Sequence, residues 1–198
     1  MLGAFFYPKM PALMSAHWNS QGDINGYLPK FWVLFTIPSL SSVLFIVFII
    51  IPQIDPIRTN IKKFGKYFNE FVSGVLLFLF YIYLLQIIRN LGFIFNFMRL
   101  ISPGFAVMLF ATGILMKNSK QNWFIGVRTP WTIGNKKVWD KTNTLGGDLF
   151  QFSAVLSLGG TLMPQLALLF IFLPVIFSSF YTIYYSYREY NRDVKAFE

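Results

Sequence analysis

Two polar segments hold the residues of this chain that could do chemistry. The first, Pro11–Lys30, carries His17, Trp18, Asn19, Gly22, Asp23, Asn25, Gly26, Tyr27 and Lys30. The spacing Asp23-x-Asn25-Gly26 matches a fragment of a calcium loop. The later acidic ligands are missing, however, and a Ca²⁺ site needs about six or more oxygens. His17 is the only histidine, and could serve as a ligand or a base. A lone imidazole at a membrane boundary reads first as a hydrogen-bonded structural residue. Gly22-Asp23 and Asn25-Gly26 read as turn pairs, because glycine supplies positive φ and Asp or Asn closes a turn through its side chain. Trp18 and Tyr27 fit an interfacial aromatic belt whatever the function.

The second segment runs from Asn122 to Gly147 and is the most polar long stretch. Pro130 biases Thr129 towards extended backbone, so Arg128–Trp131 is expected as a turn or extended piece rather than a helix. Trp123, Trp131 and Trp139 recur every eight residues, which does not suit one helical face. Composition favours simple anchoring, with Trp at the headgroups and Lys or Arg on phosphates. The sharper alternative is a compact element that recognises a protein or peptide. No phosphate-binding GxxxxGK, GxSxG or HExxH occurs, and with no cysteine there is neither a disulfide nor a thiolate site. The reading is a non-enzyme with no catalytic residue, no metal site and no cofactor.

The elements that position these segments belong to a membrane protein. Hydrophobic residues make up 55% of the chain and charged residues 13%, too few to cover a water-facing surface. Mean hydropathy is +0.53. Phe31–Ile51 holds no charge, enough to cross a hydrocarbon core of about 30 Å, and Pro38 inside it predicts a kink rather than a break. Phe71–Met116 contains only Arg89 and Arg99 as charges, which suits two helices with a turn between them. No charge lies between Asp148 and Arg188, which suits another hairpin turning at Gly159–Pro164. The first helix of that pair is short unless it starts near Thr144. Ser153, Ser157 and Thr161 stand at helix-packing spacing. The fold class is all-α: a polytopic helical membrane protein with about five transmembrane helices.

Net charge is +9, but the cations sit between apolar runs, which argues for topology and against direct nucleic-acid binding. The stretches 52–70, 117–147 and the tail after Tyr187 hold 13 Lys and Arg, against 4 elsewhere. The expectation is a multi-pass plasma-membrane protein with residues 1–30 outside and the C-terminus cytoplasmic. Few ionisable residues lie inside the spans, which disfavours an ion-coupled carrier.

Together the two polar segments resemble the SdpI family of bacterial and archaeal membrane proteins. The first carries His17-Trp18-Asn19, Gly22, Asp23, Gly26-Tyr27 and Lys30, and opens an amino-terminal domain of unknown function. Asp55-Pro56, Arg58, Asn60 and Lys66-Tyr67 resemble the family's first cytoplasmic loop. Asn122, Trp123-Phe124, Gly126, Arg128-Thr129-Pro130-Trp131-Thr132, Val138-Trp139, Lys141-Thr142 and Gly146-Gly147 resemble its signature loop. The family usually continues Lys-Thr with His-Arg, where this chain has Asn143 and Thr144. It also commonly has one more helix before His-Trp-Asn, making six spans. Met1–Tyr7 looks like the end of that helix, so an in-frame apolar segment is expected upstream.

On this resemblance residues 1–70 form the outer element with the first visible helix and its cytoplasmic loop, and residues 71–198 form an SdpI-like membrane domain containing loop 117–147. The resemblance implies immunity to a membrane-active peptide toxin and, as in the family's namesake, capture of a small cytoplasmic repressor. The implied partners are the bilayer, a peptide toxin outside and a repressor protein inside. Candidate contact residues are His17, Trp18, Asn19, Asp23 and Tyr27 for the toxin side, with Asn122, Arg128, Thr129, Pro130, Trp131, Trp139 and Lys141 on the other. The alternative reading is a general cell-envelope or small-molecule permeability protein without a toxin.

Overall fold

The computed structural model describes residues 2–195, with side chains through Val194. Met1 and residues 196–198, where expectations about the two ends fall, lie outside it. The fold is 77% helical. Where no water can pair backbone groups, an apolar run satisfies them internally as a helix. The uncharged stretches therefore become α2 (Lys30–Ile54), α4 (Gly65–Asn90), α5 (Phe97–Asn118) and α9 (Ala167–Lys195). Each of these four lies in a helix long and apolar enough to cross a membrane. Short helices α1 (Leu2–Phe6), α3 (Arg58–Lys63), α6 (Pro130–Gly134) and α8 (Gly159–Leu162) fill the connections.

The fifth long helix, α7 (Lys136–Ser157), begins eight residues before the expected start near Thr144. Its buried face is Val138, Trp139, Thr142, Asn143, Gly146, Gly147, Ser153, Ala154 and Ser157. That stripe is small and polar rather than apolar, so hydropathy alone under-reads the helix. It is a packing face. At Gly113 and Gly147 the backbones of α5 and α7 come together so closely that a Cβ on either glycine would sit 2.5 Å from the other's carbonyl oxygen. Small residues permit this approach where apolar area cannot drive association. On its other side α7 meets α9, where Ser153 and Ser178 hydroxyls pair at 3.2 Å. The long helices follow the order α2, α4, α5, α7, α9, each antiparallel to the next.

Both expected turns are present. The α4–α5 turn reverses at Gly92 (φ +103°) and ends at Asn96, whose side chain accepts from the Arg99 N–H at 3.0 Å. α2 runs on through Pro38. Proline removes the donor to Leu34 and crowds the preceding turn, while Ser41 and Ser42 hydroxyls bond the carbonyls of Ile37 and Pro38 at 2.8 and 3.0 Å.

One element adds to the all-α expectation. β1 (Leu13–Trp18) and β2 (Ile24–Pro29) form an antiparallel hairpin. Gly22 turns it with φ +87°. Asn25-Gly26, expected as a second turn pair, lies instead in the irregular part of β2, where Gly26 pairs with His17. A Cβ on Gly26 would meet the His17 Cβ at 2.9 Å, so the bulge requires glycine there. Replacing Gly147 with leucine should separate α5 from α7 and cost about 1–3 kcal/mol. Unfolding of the purified protein in detergent reads this, and an unchanged midpoint would mean the helices do not meet there.

Candidate functional site

The two polar segments fold at opposite ends of the bundle, separated by the length of α2, about 37 Å for its helical rise. At one end the hairpin docks where α2 starts, α4 ends and α5 starts. Met10, Met14, Val33, Leu34, Tyr83 and Ile87 form the apolar contact. The Asn90 amide acts as a short strand beside β1: its Oδ1 accepts from Ser15 N at 2.7 Å and its Nδ2 donates to Ser15 O at 3.1 Å. Asn96 Nδ2 donates to Gln21 O at 2.6 Å and pins the tip. Asn19 organises the turn, accepting from Gln21 N and Asp23 N at 3.0 and 2.8 Å. His17 Nδ1 pairs with Asn25 Oδ1 at 2.5 Å. The Trp18 indole stacks on Phe97 with centroids 4.0 Å apart. Tyr27 and Asp23 are exposed.

At the other end lies the segment between α5 and α7, and it is folded. Asn122, 2% exposed, is its hub. The Oδ1 accepts from Phe124 N and Ile125 N at 2.9 and 2.6 Å, and the Nδ2 donates to Lys120 O and Ile125 O at 2.8 and 3.0 Å. Asn143 projects from α7 into the same loop, accepting from Val127 N at 2.8 Å and donating to Trp139 O at 3.2 Å. The loop passes over Asn143 at Gly126 (φ +98°), where a Cβ would collide with its amide oxygen. Trp139 Nε1 donates to Ser119 O at 3.2 Å. Buried Asp55, at the end of α2, accepts from Trp123 N at 2.8 Å and from Ile57 N at 2.6 Å.

The expected extended piece is half right. Thr129 is extended, but it caps α6 through a reciprocal box with Thr132, and Pro130 fills the first helical position, where its missing N–H costs nothing. Trp131 therefore lies on a helix and packs on Tyr187 with centroids 5.1 Å apart. Thr129 Oγ1 reaches Ser186 Oγ at 3.0 Å, so loop and α9 are joined. Further along, Lys137 pairs with Asp193 at 2.6 Å and Lys141 with Glu189. The hydrogen bond from Lys137 to the Asp193 carboxylate, and then that carboxylate's charge, raise the Lys137 ammonium above its ordinary value.

Burial divides the candidates at this end. Asn122, Thr129 and Trp139 are buried and hold the loop's shape through the contacts above. Arg128, Pro130 and Lys141 are exposed, although Lys141 is committed to Glu189. Arg128 donates to Trp123 O at 2.6 Å, and Trp123 is 48% exposed, giving an open cation beside an open aromatic residue. Sequence reasoning missed Asn90, Asn96 and Asn143 as anchors. For Asn90 and Asn96 the signal was an amide at the edge of an apolar run, where a side chain can stand in for a backbone partner; Asn143, inside the polar stretch, carried no such signal.

Comparison with known proteins divides the chain along the same lines. Residues 118–186 match the SdpI/YfhL protein family, and residues 1–41 match a domain of unknown function, DUF1648. The Immunity protein SdpI of Bacillus subtilis (strain 168) is 25% identical over 137 residues, covering 69% of this chain and 63% of that protein. The chain thus spans less than two thirds of that relative's length. No solved structure matches it.

Asn122→Ala should leave two N–H groups and two carbonyls of the loop without partners, at about 1–3 kcal/mol for each one that stays buried. Trypsin cleavage after Lys120 and Arg128 in the reconstituted protein should then quicken by about tenfold or more, because local opening sets access. An unchanged cleavage rate would show that the hub does not hold the loop.

Proposed function

We propose that this multi-pass membrane protein, which carries an SdpI/YfhL family segment behind a DUF1648 segment, protects its cell from a membrane-active peptide toxin. The hairpin end is the side that meets the peptide, and the folded basic loop is the side that holds a protein partner. The observation that carries this reading is the pair of folded polar elements fixed at opposite ends of one bundle. Each falls within one of the two matched segments, and a relative with both the similarity and the name of an immunity protein supports the same function.

Charge supports the orientation. The end that bears Asn122–Gly147 collects 13 of the 17 Lys and Arg residues, so it faces the cytoplasm and the hairpin faces out. Residues 1–70 then form the toxin-facing unit with its first helix and cytoplasmic loop, and residues 71–198 form the membrane domain that carries the partner loop. His17, Asn19, Asp23 and Tyr27 shape the outer surface, with Trp18 beneath it. Inside, Arg128 with Trp123 and Trp131 forms a cationic, aromatic face suited to an acidic partner such as a small repressor. Asn122, Thr129, Pro130, Trp139 and Lys141 keep that face in shape.

Three measurements check this. A reporter fused after Glu198 should be active only in the cytoplasm, and an extracytoplasmic signal would reverse the orientation. Expression in a host sensitive to the Sdp toxin should raise survival, whereas unchanged killing at confirmed membrane insertion counts against immunity. Arg128→Ala should weaken partner capture by roughly 30-fold, the effect of losing about 2 kcal/mol at an interface anchor. Full capture by that variant would leave the loop as a membrane anchor only.

A further inference from the structure

At the end of the bundle that carries the folded loop, a crevice of about 630 Å³ lies among α2, α4, α5, α7 and α9. Ile51, Phe71, Thr112, Phe150 and Ser179 each stand for one helix in its wall, and residues 124–131 of the loop roof it. α2 packs on α4, whereas α9 packs on α5 and α7, so the side between α2 and α9 is left open to the bilayer. Every hydroxyl of the wall has already given its proton to the protein. Thr112 donates to Met108 O and Ser179 to Val175 O, both at 2.8 Å. Thr182 donates to Ser179 O at 2.9 Å and Thr129 to Ser186 Oγ at 3.0 Å. The other lining side chains are apolar, apart from the Trp131 indole and Arg128, the one charged residue among them.

Arg128 spends one N–H on Trp123 O and has no carboxylate partner among the described residues. The Asp55 carboxylate, which also reaches Trp123, is buried and committed to two backbone N–H groups. The crevice thus runs from a guanidinium at its loop end to Thr112, Phe150 and Ser179 deeper among the helices. A leaflet lipid presents its groups in that order, with phosphate at the boundary and acyl chain inward.

We propose that this crevice holds one acyl chain of an anionic phospholipid from the cytoplasmic leaflet, with the Arg128 guanidinium on its phosphate. A peptide backbone in the crevice would leave its amides unpaired against apolar walls. A soluble anion would leave those walls unfilled, and an uncharged lipid would leave the guanidinium without its anion. The remaining N–H groups of Arg128 suffice for a phosphate on one edge and a partner's carboxylate on the other. The inference takes from the proposed function only the orientation, which names the leaflet.

The test uses the full chain in phosphatidylcholine nanodiscs. Phosphatidylglycerol brominated on its acyl chains is titrated in, with brominated phosphatidylcholine in parallel. Bromine quenches tryptophan on contact, and the difference between the unaltered protein and Trp131→Phe isolates Trp131. Its quenching should saturate, at about fivefold lower mole fraction for the anionic lipid. Arg128→Gln should abolish that preference, and Arg128→Lys, which keeps the charge, should retain most of it. Ser179→Leu, which fills the wall and removes only a bond within its own helix, should weaken quenching by both lipids. Trypsin cleavage after Lys120 reports whether Arg128→Gln keeps the loop folded; if cleavage quickens, the preference of the unaltered protein and Ser179→Leu decide. Equal quenching by the two lipids, quenching that never saturates, a preference that survives Arg128→Gln, or indifference to Ser179→Leu overturns the proposal. Toxin protection without a lipid preference overturns the site and leaves the immunity reading standing, whereas a saturable preference without protection supports the site and sinks that reading.

Discussion

The contact between α5 and α7 at Gly113 and Gly147 determines most of what surrounds it. Inside a bilayer two helices gain nothing by burying apolar side chains against each other, since lipid is as apolar as leucine. They associate where their backbones can approach, and here each glycine lies against the other's carbonyl oxygen. That approach turns the small, polar stripe of α7 inward and sets its rotation. Asn143, Trp139 and Thr142 lie on the same stripe, so the rotation also brings them to the loop above. With a larger residue at either glycine, Asn143 could not reach Val127 and the loop would lose one of its two amide hubs.

Side-chain amides recur at several of the breaks between helices. Asn90 stands in for a strand beside Ser15, Asn96 caps α5 and holds the hairpin tip, Asn122 gathers four loop groups, and Asn135 caps α7. Each carries a donor and an acceptor without charge, so it can satisfy backbone groups near the membrane without the desolvation cost of an ion. The carboxylates follow another rule. Glu189 and Asp193 are buried beside Lys141 and Lys137, and Asp55 is buried against two backbone N–H groups. Five buried side-chain atoms among the described residues remain without a partner: Trp18 Nε1, Tyr83 Oη, Gln86 Oε1, Thr142 Oγ1 and Thr161 Oγ1.

Much of the fold was legible because a membrane imposes a one-dimensional rule. Uncharged runs near 20 residues gave α2, α4, α5 and α9 with both turns, and the asymmetry of Lys and Arg gave an orientation to test. The hydropathy rule under-read α7 because glycine, serine, threonine and asparagine fill its buried face. The candidate site was legible only in part. Spacing picked out both polar segments, and the family resemblance drew them together, but neither separated Trp139, a core residue, from Arg128, a surface one. Both lie in the same polar stretch, and only the fold of the loop decides which one water reaches.

What the sequence by itself determined is therefore the class, the placing of the four apolar helices, and the two segments that could act. Those follow from the composition of contiguous residues. The tertiary structure decided the rest: a hairpin in place of a second turn, a helix starting at Pro130, the burial of Asn122 and Trp139, and a crevice with Arg128 at its loop end. Each depends on residues far apart in the chain, such as Ser15 with Asn90 or Asp55 with Trp123. Such pairs form only when helices of particular rotation bring them within hydrogen-bond distance, and no local pattern encodes that.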